Sequence, residues 1–205
     1  VDPVRYQAPS AIKRYRRLLP ERGEIHFFGN QSAEAQTLNL QVTDDVPLWW
    51  FDAQQGVSWP VETQDRAVAL TLSGFESRFV MVGVPYPAGL KSGMSLSEAV
   101  RDASQRWPLK AWHLVVDDFD NSAFALGDWR DVDALRHARG PGAYQHEFTL
   151  QQKQPDARYL LDLGLVQGSA CVKVNGVEIG RASLPPFILD ITAALKDGCN
   201  TIVIE

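Results

Sequence analysis

The side chains best suited to chemistry are 4 histidines, 25 acids, 2 cysteines and 6 tryptophans among 205 residues. A metal centre needs ligands at recurring short spacings. His26, His113, His137 and His146 show none, and all but His137 fall inside strand patterns, so the fold accounts for them. The run Asp117-Asp118-Phe119-Asp120-Asn121 could offer oxygens to a structural calcium ion. It lacks the spacing and the bidentate acid of an EF-hand loop, so a solvated acidic turn is the plainer reading. Cys171 and Cys199 are too few for a disulfide framework or a zinc site, and two unrelated reduced thiols are expected. No glycine-rich loop follows a strand to cradle phosphate, and no G-x-S-x-G elbow is present. No residue is assigned a catalytic role. Trp129, in a loop beside Gly127 and Asp128, is the aromatic best placed to stack on a flat ligand face, although packing would explain it as well. Trp49, Trp50, Trp59 and Trp112 lie in strand patterns, where core packing explains them.

Charge narrows the partners. The net charge is -5 and the charges are dispersed, so there is no basic stripe for a nucleic-acid backbone. The one basic cluster, Lys13, Arg14, Arg16 and Arg17, reads as a solvated face. No stretch approaches the ~20 apolar residues that cross a bilayer, and no signal-peptide pattern opens the sequence. A start at Val1 rather than Met, and a strand pattern still running at Glu205, suggest a piece of a longer polypeptide.

The elements that must position these side chains are mostly strands. Residues 1–22 are polar and basic, with a short helix expected over Ile12–Leu19 before Pro20. Period-two alternation then recurs at Glu24–Phe28, Ala35–Val42, Leu48–Asp52, Val57–Trp59, Ala67–Leu72 and Ser77–Val84. A β-sandwich over 23–85 follows from that succession. Pro85, Pro87, Gly89 and Gly93 mark a linker, and Ser95 with Glu98 matches a capping box that opens a helix running to Trp107 before Pro108. This linker and helix occupy 86–108.

A second β region spans 109–205. Tyr144, His146, Phe148 and Leu150 share one face of a strand. Asn175-Gly176, between Cys171–Val174 and Val177–Gly180, predicts a type I′ hairpin whose Val172, Val174, Val177 and Ile179 share a buried face. A helical turn over Thr192–Leu195 ends near Gly198. The fold class is therefore all-β, two sandwiches joined by a linker with one short helix.

The residues also carry a resemblance. Gly140-Pro141-Gly142-Ala143-Tyr144 with Phe148 resembles the entry strand of the sugar-binding domain of family 2 glycoside hydrolases, with Gly142 where that pattern has alanine. Leu160–Gly164, the Val172–Gly176 hairpin, Pro186-Phe187 with Asp190-Ile191-Thr192, and Leu195 with Gly198 and Asn200 continue it in order, and Asp128-Trp129 resembles its loop tryptophan. Ile25–Asn30, Leu48–Asp52 with Gly56, and Leu70–Val82 resemble the succession that follows the catalytic barrel in family 106 glycoside hydrolases, the α-L-rhamnosidase type.

The resemblance implies that 109–205 is a galactose-binding-like jelly roll and 1–22 the remnant of an upstream domain. It implies a non-catalytic accessory or carbohydrate-binding region of an enzyme acting on rhamnose-containing glycans, periplasmic or secreted. The partners would be the upstream catalytic domain and an oligosaccharide, with Trp129 as the sugar-stacking residue. The alternative is a purely structural domain without sugar affinity. In that family the catalytic carboxylates and a calcium site belong to the barrel, so none is carried over.

Overall fold

The computed structural model describes residues 4–20, 23–42, 46–53, 55–61, 63, 65–86, 91–92 and 95–205. The chain divides into two compact units, Val1–Arg101 and Asp102–Glu205. Both are built of antiparallel sheets packed on one another, and the protein is an all-β sandwich protein with one short helix.

The first unit runs β1 (Val4–Gln7), β2 (Ile12–Leu18), β3 (Glu24–Asn30), β4 (Gln36–Val42), β5 (Leu48–Asp52), β6 (Val57–Pro60), β7 (Ala67–Leu72), β8 (Ser77–Val82), β9 (Lys91–Ser92) and α1 (Leu96–Arg101). Its two sheets have the orders β1-β4-β7 and β2-β3-β8-β5-β6-β9, and among the described residues only the β6–β9 pair is parallel. Alternation decides which side chains meet. Leu38, Leu40 and Val42 of β4 turn inward while Thr37, Asn39 and Gln41 turn out. Leu70 and Leu72 join them from the same sheet, and Phe28, Trp50, Val80 and Val82 close the core from the other.

Two expectations for this unit are corrected. Ile12–Leu18 is a strand, not a helix, paired with β3 from Ile12↔Asn30 to Leu18↔Glu24. The competing signal is a period of two, with Ile12, Arg14 and Arg16 facing inward and Lys13, Tyr15 and Arg17 outward. Pairing with an already formed sheet outweighs the helix preference of isolated Lys and Arg residues. β1 is hydrogen-bonded to β4 and β2 to β3, so Val4–Gln7 and Ile12–Leu18 lie in this unit's sheets. The second correction concerns α1, which stops at Arg101 rather than reaching Trp107. Trp107 is 64% exposed, so the later turns expected there have no apolar face to bury, and short helices need one. Of the linker residues singled out in the sequence, Pro87, Gly89 and Gly93 lie outside the described residues.

The second unit contains β10 (Trp112–Val116), β11 (Phe119–Phe124), β12 (Ala143–Leu150), β13 (Leu160–Asp162), β14 (Ala170–Val174), β15 (Val177–Ala182), β16 (Ile188–Asp190) and β17 (Gly198–Ile204). Six of them form one sheet in the order β11-β10-β12-β17-β14-β15, and β13 pairs with β16. Trp112, Val172, Val174 and Ile202 from the large sheet pack with Leu161 and Leu189 from the small one.

Asn175 and Gly176 have φ of 50° and 80°, the positive pair that a type I′ turn requires, with Val174 opposite Val177. The shared apolar face expected of this hairpin is incomplete. A bulge between Val172 and Lys173 shifts the register, and Val177 is 56% exposed. Cys171 faces Glu205 across from the far end of β17, whereas Cys199 lies near its start, roughly 20 Å away by strand rise. Both are free thiols.

Candidate functional site

Trp129 opens a single 3-10 turn, Trp129–Asp131, whose preceding residue Asp128 caps it by accepting from the Arg130 backbone N–H at 2.9 Å. The same carboxylate accepts two bonds from Arg130 Nε, at 3.0 and 2.9 Å. The side-chain bonds from Arg130, with the backbone bond second, hold Asp128 down to about 2. It is thus a fixed anion beside the indole at neutral pH.

Two contacts seat the indole. Its Nε1–H donates to Tyr144 Oη at 2.5 Å, and the two ring centroids are 6.3 Å apart at 32°. Gly142 lies against its six-membered ring, where a Cβ would stand 2.5 Å from Trp129 Cη2 and 2.6 Å from Cζ2. The indole occupies the space that a methyl on residue 142 would take. Tyr144 in turn makes edge contacts with Trp112 at 6.4 Å and Phe124 at 6.3 Å. Burial raises its phenol, and the bond from Trp129 opposes that only in part. Trp129 remains half-buried, packed at the margin of the Leu114, Val116, Phe124 and Leu135 cluster.

The acidic run does not gather around one point. Val116 pairs with Phe119, so Asp117 and Asp118 form a two-residue hairpin turn with Asp117 at φ 48°. Asp120 Oδ1 is 2.8 Å from His113 Nε2, and Asn121 Oδ1 accepts from the Ala123 N–H at 2.9 Å. Among the described residues no three histidine, cysteine or acidic side chains converge as a metal site.

Two buried ionic clusters in the first unit escaped the sequence reading. Arg78, 2% exposed, donates to Glu76 at 2.5 Å, Glu98 at 2.8 Å and Ser95 Oγ at 2.8 Å, and its guanidinium lies 5.5 Å from the Trp59 ring. Burial alone would lower Arg78, and the two glutamates outweigh it and raise it. Ser95 and Glu98, which spell a capping box, thus anchor α1 to β8 through an arginine. In the other cluster His26 is fully buried. Arg14 Nε donates to its Nδ1 at 3.0 Å, so the ring proton sits on Nε2 and is donated to Glu24 Oε2 at 2.7 Å. Arg16 clasps the same carboxylate with Nε and Nη2, one on each oxygen. Nothing in the spacing of Glu24 and His26 announces this cluster, because alternate residues of any strand share a face.

With that geometry in place, comparison with known proteins is informative about architecture. Over 98% of its length the chain superposes on a rhamnosidase from Novosphingobium sp. PP1Y, with a TM-score of 0.69 and 24% identity. The two share a fold. The chain spans 20% of that protein's length. No family model and no curated protein matches the sequence.

Proposed function

We propose that this chain is a non-catalytic accessory region of a glycoside hydrolase acting on rhamnose-containing glycans, with a galactose-binding-like jelly roll as its second unit. The observation that carries the reading is the superposition of 98% of the chain on one-fifth of a rhamnosidase. The remaining partner is then the catalytic domain of the same polypeptide, which the region buttresses. Trp129 supplies the sugar contact in this reading. Its indole is preorganised by Tyr144 and Gly142, so little side-chain entropy is lost when a pyranose ring stacks on it.

A purely structural role is favoured by the same geometry read differently, since a half-buried indole tied to Tyr144 is also a packing residue. Calorimetric titration with rhamnose- and galactose-containing oligosaccharides separates the two. Sugar binding that weakens about fivefold in Trp129→Ala supports the binding role, stacking of this kind being worth about 1 kcal/mol. Absence of binding across a broad glycan array leaves the structural role.

A further inference from the structure

The outer face of the six-stranded sheet in the first unit carries a row of aromatic rings in cross-strand register. Tyr15 lies opposite Phe27, Phe27 opposite Phe79, and Phe79 opposite Phe51, one ring on each of β2, β3, β8 and β5. The centroids step 6.3, 5.1 and 6.3 Å, so the row is continuous. None of the four belongs to the core between the two sheets. Tyr15, at the free edge, is 67% exposed, and the three phenylalanines are half-buried. Isolated surface rings need no explanation, but a contiguous row is a patch, and patches mark binding surfaces.

The neighbours of the row suit a polar ligand better than an apolar one. On one side the register continues Lys13–Gly29–Ser77, a low polar trough beside the rings. Phe27 leans over it, with Cε1 3.5 Å from where a Gly29 Cβ would be. On the other side Arg17 stands two residues from Tyr15 on the same face, so the most exposed ring sits between two exposed cations. Lys13 Nζ donates to the Ser10 carbonyl at 2.9 Å, leaving further N–H donors on the same group. Tyr15 and the outward residues named on β3, β8 and β5 carry no acid.

We propose that this face binds an acidic oligosaccharide, a short extended chain of carboxylate-bearing pyranoses. The row spans three strand spacings, about 14 Å, long enough for several sugar rings in succession. The C–H faces of the pyranoses lie on the negative faces of the aromatic rings. Their hydroxyls point into the Gly29–Ser77 trough, and their carboxylates meet Lys13 and Arg17 by charge-assisted hydrogen bonds. The inference rests on the accessory-region reading but uses a different unit and different residues from Trp129.

The test is calorimetric titration of the whole chain with oligogalacturonides and with uncharged galacto-oligosaccharides of equal length, at low and high salt. The acidic series is expected to bind and to weaken with salt. Tyr15→Ala is expected to reduce its affinity about threefold to tenfold. Lys13→Gln with Arg17→Gln is expected to reduce it about tenfold and to flatten the salt dependence. All three positions are exposed, and unchanged circular dichroism would confirm that the variants fold. Equal binding of the neutral series to protein carrying Trp129→Ala, or acidic binding indifferent to Tyr15, would overturn the proposal. Self-association abolished by Tyr15→Ala, without any glycan binding, would assign the face to a protein partner instead. Rhamnose-containing oligosaccharides that bind through Trp129 while oligogalacturonides do not bind would sink this site and leave the proposed function intact.

Discussion

Trp129 and Gly142 occupy each other's space: a single methyl on residue 142 would stand 2.5 Å from the indole Cη2. Because Nε1 is simultaneously bonded to Tyr144, the indole cannot slide aside without giving up that bond.

Gly142→Ala is therefore expected to destabilise the second unit by about 1–3 kcal/mol, the usual cost of overpacking. The check is thermal unfolding alongside tryptophan fluorescence. The fluorescence separates this outcome from general damage, because displacement of Trp129 changes its emission in the native baseline. A variant with unchanged stability and unchanged emission would show that the indole has room it does not have in this structure.

Arg78 offers a second test, on the junction between α1 and β8. Its side chain and that of Glu76 are 2% and 3% exposed, whereas Glu98 is 25% exposed. Arg78→Ala strands Glu76 as an uncompensated buried charge, and the expected loss is about 3–5 kcal/mol by denaturant unfolding. Glu98→Gln keeps the Arg78–Glu76 pair and a hydrogen-bonding side chain at the helix, so the expected loss is only about 1 kcal/mol. The ordering matters more than either value. A Glu98 variant as damaging as the Arg78 variant would mean that the arginine's main anchor is the helix rather than Glu76.

These two clusters also show what the sequence could and could not disclose. The strands at Gln36–Val42, Ala67–Leu72 and Ala143–Leu150 were legible because one buried face against one wet face forces a period of two. Asn175-Gly176 was legible because few dipeptides accept two positive φ angles. The strand at Ile12–Leu18 is not legible because its inward positions are Ile12, Arg14 and Arg16, and two arginines do not look apolar. Their partners, Glu24 and His26, lie on the neighbouring strand, and only the register brings them together. The Ser95 and Glu98 pattern was seen, but a local motif cannot reveal that a distant arginine will claim both side chains. Trp129 was singled out from its loop setting, and its seat against Gly142 depends on a contact across 13 residues of sequence that spacing does not encode.

The Glu24 cluster makes a prediction about pH. Burial by itself would raise the Glu24 carboxyl, but the hydrogen bonds from Arg16 and His26 outweigh it and hold the group below its ordinary value of 4.5. A carboxylate depressed in the folded state binds its proton more readily when unfolded, so its stabilisation is fully present above pH 4.5 and is lost as pH falls through the folded value. Denaturant unfolding at a series of pH values should accordingly show stability dropping below pH 4.5 in the native sequence. Glu24→Gln removes the charge at every pH. It is expected to cost about 1.5–3 kcal/mol near neutrality, the range for hydrogen bonds to charged groups, and to have a shallower acid limb. The two curves should then approach each other as pH falls, because acid protonates in one protein what the substitution has already neutralised in the other. Parallel curves across that range would place the acid sensitivity elsewhere and leave the Glu24–Arg16–His26 cluster without a part in it.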